Sequence, residues 1–320
     1  MFKLDVELKP SKLLTIIVPV FNESATILLF FERLKRVLLI SEDSYSFNVL
    51  FLNNASTDET FNIISDLRDK NSFVFCLTMS SNVGYQNSID FGLRHAKGDI
   101  FVIIDVDCED PPEMITQFIE QHKKGFDLVY GIRRDRHENI FIKKLRSLFY
   151  HVVRQFSDEE IILYMAEFTL FTNEVRDAVV ASTDSFPFVR SSIARVGFNR
   201  IGIPYKRDIR IAGKTNYNFY GMMIFAIASL LSSTTLPLRL PIFLLPIWTV
   251  STVGILWTYF LTGNFHFILL TIFFTCIYLG GSIAFIALYL GRVYKNSLSR
   301  PNAFIHRRYS FLQEIEDKSD

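Results

Sequence analysis

The sequence predicts an α/β protein built around a mainly parallel sheet and followed by a membrane hairpin, and three observations carry that expectation. Strand-like apolar runs alternate four times with helix-spaced runs over residues 13–113. That pattern builds a parallel sheet covered by helices on both faces. The strand-like runs stop in polar loops. Residues 240–291 contain no Asp, Glu, Lys or Arg, and so long an uncharged stretch marks membrane-spanning helices.

The first strand is residues 13–20 (LLTIIVPV), followed by Phe21-Asn22-Glu23-Ser24. Ile27, Phe30, Phe31, Leu34, Val37 and Leu38 then recur at helical spacing. A second strand, 47–52, runs into Asn53-Asn54-Ala55-Ser56-Thr57-Asp58-Glu59-Thr60, where Ser56 and Glu59 read as a capping box for a helix carrying Phe61, Ile64 and Leu67. A third strand, 73–79, leads through Asn82-Val83-Gly84-Tyr85-Gln86 into a helix with Ile89, Leu93 and Ala96, closed by Gly98. The fourth strand starts at Phe101 and delivers Asp105, Asp107 and Glu109 before Pro111 and Pro112. Alternate residues of a strand share a face, so these carboxylates are expected on one side of the strand end. Asp110-Pro111-Pro112-Glu113 reads as a helix start with Asp110 as N-cap.

In such sheets ligands sit beyond the carboxyl ends of the strands. Those ends carry Asn22 and Glu23, then Asn53 and Asn54, then Asn82, then the acids. One such residue is an ordinary loop residue, but four loops that agree make a site. Crowded carboxylates repel, and a hard divalent cation, Mg²⁺ or Mn²⁺, relieves them while sharing its coordination with substrate phosphates. The chain has no G-x-x-x-x-G-K-[ST] and no G-x-G-x-x-G. Phosphate binding is therefore expected from metal and cationic side chains, which excludes the usual ATPase and dehydrogenase readings. Arg133, Arg134 and Arg136 follow a strand at 127–130, with Lys143, Arg146 and Ser147 on the next helix and Arg207, Arg210 and Lys214 further on. They read as a phosphate clamp, the alternative being a lipid-facing basic surface.

Composition narrows the classes. With 34 basic and 33 acidic residues, nothing global points to nucleic acid. The cysteines, Cys76, Cys108 and Cys276, are far apart and give neither a disulfide framework nor zinc spacing. The histidines are scattered, and none is assigned as a ligand. Residues 1–12 alternate charge with apolar character, which is not a signal-peptide pattern, so the site-bearing half is expected in the cytoplasm.

IIVPVFNES, NNASTDET, NVGYQNSIDFGLRHAKGD and IDVDCEDPPE, in that order, resemble inverting glycosyltransferases of family 2. More narrowly, together with DLVYGIRRDR, FPFVRSSIARVGF, IPYKRDIRIAGKTNY and the apolar tail, they are similar to the polyprenyl-phosphate branch related to dolichol-phosphate mannose synthase and bactoprenol glucosyltransferases. The resemblance implies a GT-A type nucleotide-sugar domain in which Asp105, Asp107 and Glu109 hold the metal. Pro19, Asn22, Glu23, Asn53, Asn54, Asn82, Gln86, Asp105, Val106 and Asp107 would bind the nucleotide-sugar. Arg133, Lys143, Ser147, Arg207 and Arg210 would meet the acceptor phosphate, and Glu167, Asp107 and Arg133 would be the catalytic group. The chain departs from the family's pattern at three places. Asn53-Asn54-Ala55-Ser56 stands where relatives commonly read Asp-Asp-Gly-Ser, although an amide can still pair with a uracil edge. Glu109 stands where Gln is common. Glu167-Phe168-Thr169, expected in a loop, stands where relatives have Asp-Phe-Arg.

Residues 240–262 and 265–290 each exceed the roughly 20 residues a membrane helix needs, and Gly263-Asn264 leaves room only for a tight hairpin. Arg239 precedes the pair and Arg292, Lys295, Arg300, Arg307 and Arg308 follow it, an asymmetry that places both ends in the cytoplasm. Residues 217–238 are uncharged but rich in Ser and Thr in their second half, and read as an interfacial helix, the alternative being a third membrane span. The expected organisation is a cytoplasmic catalytic domain (1–214), an interfacial region (215–239), the hairpin (240–291) and a basic tail (292–320). The expected function is metal-dependent transfer of a hexose from a nucleotide-sugar (UDP-hexose) to undecaprenyl phosphate at the inner membrane, supplying a lipid-linked sugar for cell-envelope glycan modification, with room for a homo-oligomer. The alternatives are a catalytically silent lipid- or nucleotide-binding member and a polysaccharide synthase. The latter carries a Gln-x-x-Arg-Trp element, whereas Trp248 and Trp257 both lie in the apolar tail.

Overall fold

The structure is a computed structural model that describes residues 12–40, 45–134, 162, 165–182, 184–208, 234–298 and 300–312. Its chain forms two compact units, one of residues 1–140, 162–218 and 301–320, the other of 141–161 and 219–300.

In the first unit, β1 (Lys12–Val20), β2 (Tyr45–Asn53), β3 (Val74–Thr78) and β4 (Ile100–Ile103) alternate with α1 (Ile27–Leu39), α2 (Thr60–Lys70) and α3 (Tyr85–His95). There follow α4 (Met114–Lys123), β5 (Leu128–Arg134), β6 (Met165–Thr172), α5 (Asn173–Val180), α6 (Val189–Arg195) and β7 (Arg200–Lys206). The seven strands make one sheet in the order β3-β2-β1-β4-β6-β5-β7. All neighbours are parallel except β6, which runs antiparallel to both β4 and β5. The expected α/β class with a mixed, mainly parallel sheet is the one observed.

Strand alternation divides the core into two layers. Leu14, Ile16 and Val18 pack with α1, α2 and α4 on one face, while Ile17, Leu50 and Leu52 pack with α3, α5 and α6 on the other. Phe30, Phe31, Phe51, Phe101, Phe118, Phe168 and Phe171 are among the fully buried side chains, and each contributes on the order of 2 kcal/mol by leaving water. The high phenylalanine content therefore has a structural explanation in the core as well as in the membrane segment.

Two helix starts differ from expectation. The N-cap of α2 is Glu59, without a side-chain cap. Ser56 is engaged elsewhere: its hydroxyl accepts from the Asn22 N–H and its own N–H donates to Asn53 Oδ1. The N-cap of α4 is Glu113, because Asp110 is drawn into the site described below.

The second unit contains α7 (Leu236–Thr262) and α8 (His266–Ser297), joined through Gly263, whose φ of 64° supplies the left-handed turn. Both helices are long and apolar enough to cross a membrane. Only 6% of the most apolar window of α7 and none of that of α8 is buried, so neither is the core helix of a soluble domain. Ile242, Phe243, Val250, Phe260 and Ile283 are more than half exposed, a surface suited to lipid. Thr249, Ser251 and Ser282 return their hydroxyls to carbonyls four residues back, which satisfies them without water. The proposed interfacial helix falls largely outside the described residues.

After α8 the chain rejoins the first unit. Cys76 and Met79 form antiparallel bridges with Phe311 and Ile305. The Ser80 N–H donates to the Phe304 carbonyl and the His306 N–H to that of Thr78. The segment read from sequence only as a basic tail thus covers the outer edge of β3, where unpaired backbone groups would otherwise stand open.

Candidate active site

The loops that leave β1, β2, β3 and β4 share an unusual backbone. Among the described residues, the non-glycines with left-handed φ are Asn22 (55°), Ala55 (57°) and Cys108 (58°), one in each of the loops after β1, β2 and β4. Gly84 (83°) occupies the corresponding place after β3. Such conformations cost about 1–3 kcal/mol each for non-glycine residues and gather at functional sites. All four lie in the loops at the carboxyl edge of the sheet.

Amides hold the first three loops together. Asn22 Oδ1 accepts from the Thr57 N–H at 2.8 Å. Asn54 Nδ2 donates to Asn82 Oδ1 at 3.0 Å, and Asn54 Oδ1 accepts from the Val83 N–H at 2.9 Å. Asn53 reaches Thr78 Oγ1 at 3.3 Å. Glu23 accepts from the Thr26 hydroxyl at 2.7 Å. Pro19 lies buried in β1, in register with Leu52. The structure thus links Asn22, Asn53, Asn54 and Asn82 through one run of loops, with Glu23 and Pro19 at its β1 end.

The acid segment differs from expectation in its backbone. β4 ends at Ile103, so residues 104–113 are a loop rather than a continued strand, broken by the turn at Cys108. The expected sidedness survives in burial: Asp105, Asp107 and Glu109 are half-buried, whereas Val106, Cys108 and Asp110 are buried. The acids have separate partners. Tyr85 Oη donates to Asp105 Oδ1 at 2.6 Å, the Glu109 N–H donates to Asp107 Oδ1 at 3.0 Å, and Glu109 Oε2 pairs with Arg207 Nη1 at 2.6 Å. Burial, then the charges of Asp110 and Asp107, push the Asp105 carboxyl up to about 7 against the Tyr85 bond. Among the described residues no three acids, histidines or cysteines converge as a ready metal set, and Glu109 is committed to the Arg207 guanidinium. Asp105 and Asp107 fit a hard cation by donor type and by the negative charge that Asp110 and Asp107 place on Asp105.

Asp110, read from sequence as a helix cap, is the most heavily bonded acid of the site. Its Oδ1 accepts from Tyr205 Oη at 2.5 Å and Arg207 Nε at 3.2 Å, and its Oδ2 accepts from Arg133 Nη2 at 2.8 Å. Arg133 Nε also donates to Tyr205 Oη at 3.2 Å. Burial alone would raise the Asp110 carboxyl, but Arg133, the Tyr205 hydroxyl and Arg207 hold it below the ordinary range. A Cβ at Gly131 would lie 2.6 Å from the Tyr205 ring, so glycine there is what admits the tyrosine.

Glu167 lies on β6, inside the sheet rather than in a loop, at the same carboxyl edge because β6 runs antiparallel to β4. Its Oε1 accepts from Gln86 Nε2 at 3.1 Å, and Gln86 Oε1 accepts from the Val189 N–H at 2.9 Å. Adjacent residues at the start of α3, Tyr85 and Gln86, therefore hold Asp105 and Glu167. Lys143, Ser147 and Arg210 lie outside the described residues. Sequence reasoning passed over Tyr85, Asp110 and Tyr205 as site residues. Tyr85 and Tyr205 stood inside quoted motifs, and Asp110 sat in plain view under a simpler explanation.

The glycosyl transferase family 2 model matches residues 15–197. An uncharacterised glycosyltransferase of Bacillus subtilis, YkcC, is 30% identical over 322 residues, covering 95% of each chain. A prophage bactoprenol glucosyl transferase homolog of Escherichia coli is 30% identical, covering 92% of this chain and 98% of that protein. The bactoprenol glucosyl transferase of Shigella phage SfX is 28% identical over 92% of this chain and 99% of its own length. The chain belongs to glycosyl transferase family 2: it is a glycosyltransferase whose catalytic unit is built on a mixed, mainly parallel sheet. Its two long apolar helices make it membrane-associated.

Proposed function

We propose that the protein moves a hexose from a nucleotide-sugar, UDP-hexose by preference, to a polyprenyl phosphate such as undecaprenyl phosphate, giving a lipid-linked sugar for cell-envelope glycan modification. One observation carries the reading: the acid loop 104–110 faces two arginines, Arg133 and Arg207, at the carboxyl edge of the sheet. A diphosphate leaving group and a phosphate nucleophile are both anions, and a site for them needs metal-binding acids on one side and guanidiniums on the other. The two named relatives that act as, or are homologous to, bactoprenol glucosyl transferases support it across the hairpin as well as the catalytic domain.

In this reading a lipid phosphate oxygen attacks the anomeric carbon, the bond from that carbon to the diphosphate breaks, and the configuration inverts. The nucleophile needs no proton removed, since its second pKa is about 6. Asp105 and Asp107 would hold a Mg²⁺ or Mn²⁺ ion, which when bound neutralises the departing diphosphate. Asn22, Asn53, Asn54 and Asn82 line the nucleoside side, while Arg133 and Arg207 hold the acceptor. Glu167, tethered by Gln86, orients the reacting partners rather than acting as an obligatory base. The hairpin crosses the inner membrane twice and leaves the catalytic unit in the cytoplasm, a topology supported by the flanking cations and by the return of residues 301–312 to the first unit.

The test uses membranes containing the full chain, labelled UDP-sugars, Mn²⁺ or Mg²⁺, and solvent extraction of lipid-linked label. Label in the lipid fraction that depends on the cation is the expected result, and none with any sugar nucleotide overturns the proposal. Glu167→Gln is expected to lose transfer while keeping donor binding, and unchanged turnover would remove Glu167 from the site.

A further inference from the structure

Asp110 has no role to play at the helix start, since α4 begins at Met114 and its N-cap is Glu113. Its residue exposure is 0%, and its carboxylate gathers donors from three places in the fold: Arg133 at the end of β5, Tyr205 within β7, and Arg207 just beyond β7. Burying a carboxylate costs several kcal/mol unless it is fully paired, and apolar side chains could join the same elements more cheaply. What an anion does here that an apolar residue cannot is fix the direction of two guanidiniums. An arginine held along one edge by a carboxylate keeps further N–H donors for a second anion. Tyr205 locks the arrangement, accepting from Arg133 while donating to Asp110. Glu109, by contrast, meets Arg207 in a pair that is 30% and 23% exposed on its two sides, open enough to be exchanged.

We propose that Asp110 is a positioning residue for the acceptor: it presents Arg133 and Arg207 as a pre-ordered pair to the phosphate of the lipid. The inference rests on the acceptor reading given under Proposed function. Preordering matters because a free arginine loses side-chain entropy on binding, and a held one has already lost it.

The experiment measures KM for a polyprenyl phosphate and for the nucleotide-sugar separately, with full-length Asp110→Asn in membranes. Asparagine keeps the shape and an acceptor oxygen but removes the charge that holds two cations. Acceptor KM is expected to rise about tenfold, a difference of 1.4 kcal/mol, while donor KM stays within about twofold. Tyr205→Phe, which removes one hydroxyl and keeps the ring, is the second variant should Asp110→Asn fail to accumulate. It is expected to raise acceptor KM about threefold, again without moving donor KM. A loss of melting temperature with both KM values unchanged, or an equal rise in both, makes Asp110 merely structural and overturns the proposal. Absence of lipid-linked product from the unmodified protein instead sinks the acceptor reading itself, and the positioning role with it.

Discussion

At the ends of β1, β2 and β3 the site is made mainly of amides, and at the ends of β4, β5 and β7 it is made of ions. The amide half is tied by neutral hydrogen bonds between consecutive loops, such as Asn54 with Asn82 at 3.0 Å. The ionic half is tied by charges from distant parts of the chain, such as Asp110 with Arg133 at 2.8 Å and Arg207 at 3.2 Å. Amides donate and accept at every accessible pH, which suits recognition of a base. Charges balance anions, and the ionic half is where anions must meet. The two halves should therefore fail differently when cut.

The largest effect is expected in the ionic half. Asp107→Ala should lower lipid-linked product by a factor on the order of 100 or more, the scale on which losing electrostatic stabilisation of a leaving group is felt. Chelation of divalent cations in the unmodified protein should have a comparable effect. Product that persists in both conditions would break the division, because the acids would then have no ion to hold. Transfer should also weaken at high salt, where exposed charges are screened.

Next in size is the amide half. Asn54→Ala removes two neutral bonds, each worth about 0.5–1.5 kcal/mol, and should raise donor KM about tenfold. Acceptor KM should not move, and the effect should be the same at low and high salt. If donor binding instead became salt-sensitive, the two halves would not be separate.

A third cut lies outside both halves. The post-hairpin segment packs Tyr309 edge-on against Phe61 with ring centroids 5.0 Å apart, and Phe311 pairs with Cys76. Phe311→Ala should destabilise the catalytic unit by about 2 kcal/mol, since the ring is only partly buried and the large-to-small cost is correspondingly reduced. The corresponding fall in melting temperature is about 4–8 °C. The amide half should feel it more than the ionic half, because Thr78, beside this segment, receives the Asn53 side chain.

The same division explains what could be seen in the sequence. The parallel half was legible because each strand, loop and helix is local: the apolar runs ended within one residue of the ends of β1, β2 and β3, and Asn22, Asn54 and Asn82 fell in successive loops. The ionic half was not. Its contacts span 23 residues from Asp110 to Arg133 and 97 to Arg207, across an antiparallel β6 that enters between β4 and β5. Periodicity carries no information about such pairings. Asp110 before two prolines matched a helix-start pattern, and a local rule explained a residue whose partners are remote. The antiparallel insertion also moved Glu167 from an expected loop onto a strand. The segment after α8 was hidden for a different reason, since isolated bridges to a sheet edge need only a few apolar residues and leave no period to detect.

The smallest predicted effect on either KM tests whether the loop backbones are shared scaffolding. Gly84 has φ of 83° and begins the helix that presents Tyr85 to Asp105 and Gln86 to Glu167. A Cβ built there meets nothing within 4 Å, so Gly84→Ala acts through backbone strain alone. With ψ at 161° the residue sits in a region that essentially only glycine occupies, so the strain costs about 1–3 kcal/mol, at about 2–4 °C in melting temperature for each kcal/mol. Since Tyr85 and Gln86 reach into the ionic half from a loop that belongs to the amide half, any residual change in conformation should appear in both KM values together. A shift confined to one of them would mean that the first turn of α3 serves that half alone. Equal shifts would identify this turn as the hinge on which the two chemistries are aligned.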